Sequence, residues 1–268
     1  MKNRIAYNAL AFTAVGLSAM TIANPVFANP RAMPFTYPYE TSLEGALEVE
    51  QFVDLTPVRL AREQPDGTVE GVWGLGSVLQ TELEYGITDR LELGWYFVFK
   101  QEAALDPALT FDGVKQRLRL RLAEAGEWPV NVGLYLETAQ LHDELELEEK
   151  IILSRRFGPV NVTTNLWIEQ EYVIPDDEVE HIYNPTAAVT YEVTPAFSVG
   201  LEYWMRGHFG EKFSDDAKQY LGPTFMVQSP AAWLALGTYL RLDHFSRDAV
   251  VDDAYGKVWF RSVIGIDL

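Results

Sequence analysis

Along residues 113–124, GVKQRLRLRLAE, polar and apolar positions alternate without a break. Lys115, Arg117, Arg119 and Arg121 take one phase; Gln116, Leu118, Leu120 and Leu122 take the other. A helix repeats about every 3.6 residues and would scatter both sets around its cylinder, whereas a strand repeats every two and sends them to opposite faces. The stretch is therefore a strand between an apolar and a polar medium. A soluble sheet with one wet face offers that, and so does a membrane barrel with lipid outside and water inside.

The same alternation recurs to the end of the chain and predicts twelve strands. They lie near 45–56, 76–86, 91–101, 113–123, 129–139, 144–154, 159–173, 181–193, 196–207, 218–228, 232–243 and 256–268. The third sets Leu91, Leu93, Trp95, Phe97 and Phe99 against Glu92, Gly94, Tyr96 and Lys100. Tight connectors at 87–90, 125–129, 156–159, 194–196 and 229–232 alternate with longer polar ones such as REQPDGTVEG and EAALDPALTFDG; the exception is LHDE at 141–144, which is short. Short turns at one end and long loops at the other, with strands of about 9–11 residues, fit an all-β, antiparallel, up-and-down transmembrane β-barrel. An even strand number brings both ends of the barrel to the short-turn, periplasmic side.

A soluble sandwich would bury one face and charge the other. Here the polar face also holds Tyr96, Tyr135, Trp167, Trp204, Tyr239 and Trp259, while the apolar face carries only two charges, Glu149 and Arg155 on the sixth strand. Trp128 and Trp233 stand beside tight turns, where an aromatic girdle is expected. These features favour the barrel.

The first residues agree. Lys2 and Arg4 precede a short apolar run, and Val26 and Ala28 suit a small-residue cleavage rule, so residues 1–28 read as a cleaved signal peptide. The expected organisation is that leader, an extended periplasmic segment over 29–44 or one tucked into the barrel mouth, and a barrel over 45–268. With no cysteine there is neither disulfide nor thiolate chemistry. The formal net charge of −18 excludes nucleic acid as a natural partner.

The segment ELEYGITDRLELGWYFVF (82–99) resembles a hairpin of the meta-pathway phenol-degradation family of bacterial outer-membrane proteins. The resemblance implies an outer-membrane location and a role in transport, and it carries no catalytic residues. The terminal WFRSVIGIDL is similar to the signal by which such barrels reach their assembly machinery, although Leu268 replaces the usual aromatic residue.

Lipid must take the apolar face, so the charges face the bore. The expected pore-lining set is Glu48, Glu50, Glu82, Glu84, Glu92, Lys115, Arg117, Arg119, Arg121, Glu137, Arg206, Arg241 and Arg261. Antiparallel pairing about the tight turns predicts Glu48 and Glu50 beside Glu82 and Glu84, Glu84 near Glu92, Glu92 near Arg121, Lys115 opposite Glu137 and Arg117 opposite Tyr135. Such a bore either filters solutes through a transverse field or is filled by charges that neutralise each other. Twelve strands lie between the filled eight-stranded barrel and the open porin, which suggests a partly open path; no loop is long enough to be an obvious plug.

The leading function is an outer-membrane channel for small solutes, surrounded by lipid and lipopolysaccharide. The alternatives are an outer-membrane enzyme acting on lipid or surface protein and a non-conducting structural barrel. His142, His181, His208 and His244 are the candidate bases, and DHFSRD (243–248) places Asp, His and Ser together, but neighbours on a strand alternate faces and form no triad. Asp176-Asp177-Glu178, Asp215-Asp216 and Asp252-Asp253 are too sparse for a Ca²⁺ or Mg²⁺ cage. No catalytic residue, metal site or cofactor is expected.

Overall fold

A computed structural model describes residues 30–243 and 251–268. The expected leader and His244 lie outside these residues. The strands are β1 (Leu47–Glu63), β2 (Val69–Thr88), β3 (Leu91–Gln101), β4 (Leu109–Arg121), β5 (Asn131–Leu141), β6 (Glu144–Phe157), β7 (Val160–Val173), β8 (Glu178–Tyr183), β9 (Thr186–Thr194), β10 (Phe197–His208), β11 (Lys218–Ser229), β12 (Ala232–Arg241) and β13 (Val258–Asp267). A single helical turn, α1 (Phe213–Asp216), sits between β10 and β11. Each strand pairs antiparallel with its neighbours, and β13 returns to β1 from Glu48↔Asp267 to Leu55↔Phe260. The sheet is thus a closed barrel with no free edge.

The barrel has twelve staves, because β8 and β9 are two halves of one. Ile168 faces Tyr183 before the interruption and Asn165 faces Thr186 after it, so the register runs straight through. Asn184 N–H still donates to the Trp167 carbonyl at 2.9 Å, and Met205 N–H to the Pro185 carbonyl at 3.2 Å. What is lost is the donor that Pro185 lacks.

β1 and β2 outrun the expected strands. Their ladder continues to Glu63↔Val69, with a turn at 64–68. Part of REQPDGTVEG is therefore strand. Both faces of this projecting end meet water, and the apolar alternation that marks a strand in the sequence has no cause there.

The alternation resolves as expected. Leu83, Trp95, Phe97, Leu118, Leu120, Leu134, Leu136, Leu166 and Ile264 are exposed outward, while Glu82, Glu92, Arg117, Arg119 and Glu202 are buried inward. A continuous apolar outer belt of this kind is compatible with hydrocarbon, not with water. Arg155, one of the two outward charges, lies at the short-turn end and donates to the Trp128 carbonyl at 3.4 Å. Trp233 corrects the girdle expectation: it points inward, is 2% exposed, and donates Nε1–H to Glu48 at 2.5 Å.

Glu149, the other outward charge, stands opposite Leu136 and Ile168 and lines a groove with Leu134, Ile151, Leu166 and Tyr183. A lone carboxyl in the belt costs free energy that a methyl-bearing side chain does not. Glu149→Leu is expected to stabilise the folded barrel by about 1–2 kcal/mol. Urea unfolding in detergent, followed by the mobility difference between folded and unfolded bands, reads this; an unchanged or lower midpoint contradicts it.

Candidate functional site: the plugged lumen

Residues 30–42 run inside the barrel. Of the two placements expected for this segment, this is the one tucked into the barrel rather than the one extended in the periplasm, and the plug it forms is an N-terminal segment, not one of the loops. The segment leaves β1 at the short-turn end, where Gly45 N–H donates to the Gly86 carbonyl at 2.8 Å. Gly86 is required at this crossing: a Cβ there would lie 1.9 Å from the Leu43 carbonyl oxygen.

Further in, hydrogen bonds tie the plug to the wall at several points along its length. Ser42 N–H donates to Glu92 at 2.7 Å, and Ser42 Oγ–H donates to Glu84. Thr41 Oγ1–H reaches the Asp89 carbonyl and Tyr39 O–H the Ala123 carbonyl, both at 2.9 Å. Asn165 pairs with Tyr37 as a strand would, accepting from its N–H at 2.7 Å and donating to its carbonyl at 3.1 Å. At the tip, Glu202 accepts from Phe35 N–H at 3.1 Å, from Thr36 N–H at 2.5 Å and from Tyr239 O–H. Among the described residues no cation is bonded to this buried carboxylate; backbone dipoles and a phenol satisfy it.

The Phe35 ring stacks on Trp204 at 4.6 Å and meets Tyr239 edge-on at 5.0 Å. Trp204 stacks in turn on Tyr220 at 4.2 Å, with Trp259 edge-on at 5.1 Å. The tip of the plug thus caps an aromatic cluster on β10–β13. Beyond it, toward the long loops, a cavity of about 460 Å³ is lined by Asp54, Val58, Val78, Lys100, Tyr255 and Trp259 among others. At the short-turn end a smaller cavity, about 210 Å³, lies between Met33 of the plug and Asn161, Thr190, Ser198 and Met226 of the wall.

The charges expected to line a wet bore point inward, but in the midsection they are packed against one another. Arg117 is ion-paired to three carboxylates: Glu92 through Nη1 at 2.6 Å, Glu84 through Nη2 at 2.6 Å, and Glu82. Arg119 bonds Glu92 at 2.5 Å. All five are below 2% exposed. Lys115 lies 3.2 Å from Glu137 and 3.1 Å from Glu146. Arg261 makes two 2.5 Å bonds to Asp54 across the β1–β13 seam. Nearer the long loops, Arg206 binds Glu169 and Glu171, and Arg241 binds Asp243 and Asp253. Arg121 is at the short-turn rim, 3.2 Å from Glu124.

The pairing differs from the sequence expectation by a consistent step. Glu48↔Glu84 and Glu50↔Glu82 hold. However, Glu92 pairs with Arg119 rather than Arg121, Arg117 with Glu137 rather than Tyr135, and Glu84 with Gly94 rather than Glu92. A turn centred one residue away moves every pair by two. Bulges at Gly86/Thr88 and Val98/Phe99 each shift the register of one of these ladders by one residue, half of the observed step.

The plug residues Arg31, Phe35 and Tyr37 and their receptors Asn165 and Glu202 were not among the expected site residues. One signal was present: Phe35, Tyr37 and Tyr39, with Met33, make NPRAMPFTYPY too rich in aromatic and large apolar side chains for a solvated tail.

At the long-loop rim, the two ring nitrogens of His208 lie 3.0 Å from Asp216 and 3.1 Å from Glu180. Neither nitrogen is free to take a proton from a hydroxyl nucleophile. Burial opposes ionisation of Asp216, but its hydrogen bonds from His208 prevail and hold its carboxyl below the usual range.

No protein-family model and no curated protein matches the sequence. Among solved structures, the barrel is similar to the COG4313 outer membrane channel from Pseudomonas putida F1, at 11% identity and a TM-score of 0.60 over 86% of this chain and 98% of that one. It is also similar to the NanC porin, at 9% identity and a TM-score of 0.51 over 83% of this chain and all of that one. The chain therefore has the fold of outer-membrane channels and porins.

Proposed function

We propose that this chain is an outer-membrane channel for small solutes that rests closed, with residues 30–42 as its plug. The barrel would sit in outer-membrane lipid and lipopolysaccharide, delivered by the barrel assembly machinery. The observation that carries the reading is the pair of cavities, one at each end of the barrel, separated by a tethered segment. Hydrogen bonds and ion pairs hold that segment, so it can leave without breaking the strand ladder. The channel fold supports the same reading.

Glu202 holds the tip, so it sets the balance between closed and open. Glu202→Ala strips the acceptor from two plug N–H groups and from Tyr239, a loss of about 1–3 kcal/mol. At about 1.4 kcal/mol per decade, the open fraction should rise roughly 5- to 100-fold. Planar-bilayer recordings should show rare brief openings in the mature protein and frequent long ones in the variant. Both proteins must first show the band mobility of a folded barrel. No current from either folded protein would sink the channel.

A further inference from the structure

We infer that the carboxylates Glu50 and Glu82 form a solute site for a guanidinium or primary alkylammonium group, and that Arg31 of the plug occupies it as a built-in stand-in. This rests on the channel reading and names the charge class of what the open bore takes.

Arg31 Nη2 lies 2.7 Å from Glu50 and 3.3 Å from Glu82, with the guanidinium buried. Its carbon is 5.1 Å from the centroid of Phe52 on the wall and 4.3 Å from that of Tyr37 on the plug itself. The surroundings are carboxylates at the head and rings at the face, which is how a desolvated planar cation is held.

The two acids depend on Arg31 unequally. Glu82 also has Arg117. Among the described residues Glu50 is ion-paired to Arg31 alone, and its Oε2, though buried, has no properly angled hydrogen bond. Arg31 Nε likewise lacks an acceptor. The tethered guanidinium therefore fills the site without satisfying it. When the plug withdraws, Arg31 and Tyr37 leave together. Glu50, Glu82 and Phe52 stay on β1 and β2, and Glu50 is left as a carboxylate without a cation beside an aromatic wall. A free solute with an amine or guanidinium on a short alkyl chain could approach both oxygens from the bore without the constraint of the peptide tether.

The test uses the full mature chain with Arg31→Gln, and agmatine as the probe. Thermal unfolding in detergent reads binding, and planar bilayers read current. Agmatine should raise the unfolding temperature of Arg31→Gln at least ten times more potently than that of the unaltered protein. The added change Glu50→Gln should raise the half-saturating concentration at least tenfold. Arg31→Met serves as a second background if Arg31→Gln does not fold. Binding without current in any variant would keep the site and sink the channel. Current without agmatine binding, or binding indifferent to Glu50→Gln, would sink the site and keep the channel. Stabilisation by CaCl₂ but not by agmatine would overturn the assignment of an organic cation.

Discussion

Arg117→Met should lose about 3–5 kcal/mol of stability, enough to make the folded barrel hard to recover. The reason is the number of carboxylates that one guanidinium serves. Glu82, Glu84 and Glu92 all bond Arg117, and all are sealed from water. Burying a charge is costly unless it is paired, and removing one partner leaves the others uncompensated. Methionine fills the volume and supplies no donor. Space for the cage is made by Gly94, where a Cβ would stand 2.3 Å from Glu82 Oε1 and 2.7 Å from Arg117 Nε. The measurement is the urea midpoint of the folded band in detergent. The control is Arg121→Met: Arg121 sits at the rim beside half-exposed Glu124, and such pairs contribute about 0–1 kcal/mol. Adding Glu82→Gln and Glu92→Gln to Arg117→Met should recover much of the loss, because neutral amides need no counter-charge. Equal midpoints for Arg117→Met and Arg121→Met would mean that the cage is not what holds the wall together.

That contrast marks what the sequence disclosed and what it withheld. Strict alternation in RLRLRL told which residues point inward, because period two is a property of one strand and needs no partner. Which inward charges meet is a property of two strands and the turn between them. A one-residue difference at the turn made Glu137 the partner of Arg117 instead of Lys115. The stave broken at Pro185 was still legible as one strand, because the register on both sides is continuous. The projecting end of β1 and β2 was not, since no lipid enforces a pattern there. The plug escaped for a third reason. It pairs with no strand, its every-second-residue pattern from Met33 to Tyr39 is short and interrupted by prolines, and its partners Asn165 and Glu202 lie more than 120 residues away on other staves. Only its aromatic density hinted at burial.

Deleting residues 29–42 should convert the resting barrel into one that conducts continuously and prefers cations. The ladder supports the first part. Closure is made by β1 pairing with β13 over Glu48–Leu55, and none of those backbone bonds involves the plug. The deletion removes the Phe35 cap from the aromatic cluster and the segment standing between the two end cavities, so a continuous bore remains. Charge supports the second part. Without Arg31, the β1–β3 wall presents Glu48, Glu50, Glu82, Glu84 and Glu92, faced by Arg117 and Arg119 from β4. Glu202 on the opposite wall loses two backbone donors and gains no cation. Water entering the bore would solvate these carboxylates, which offsets part of the lost pairing, and the excess of negative charge would draw cations in and repel anions. The reversal potential across a KCl gradient reads the preference directly and should sit on the potassium side. A chloride-side potential would mean that the buried acids do not govern the open path. A folded deletion variant with current no greater than the intact chain would show that residues 30–42 are not what closes it.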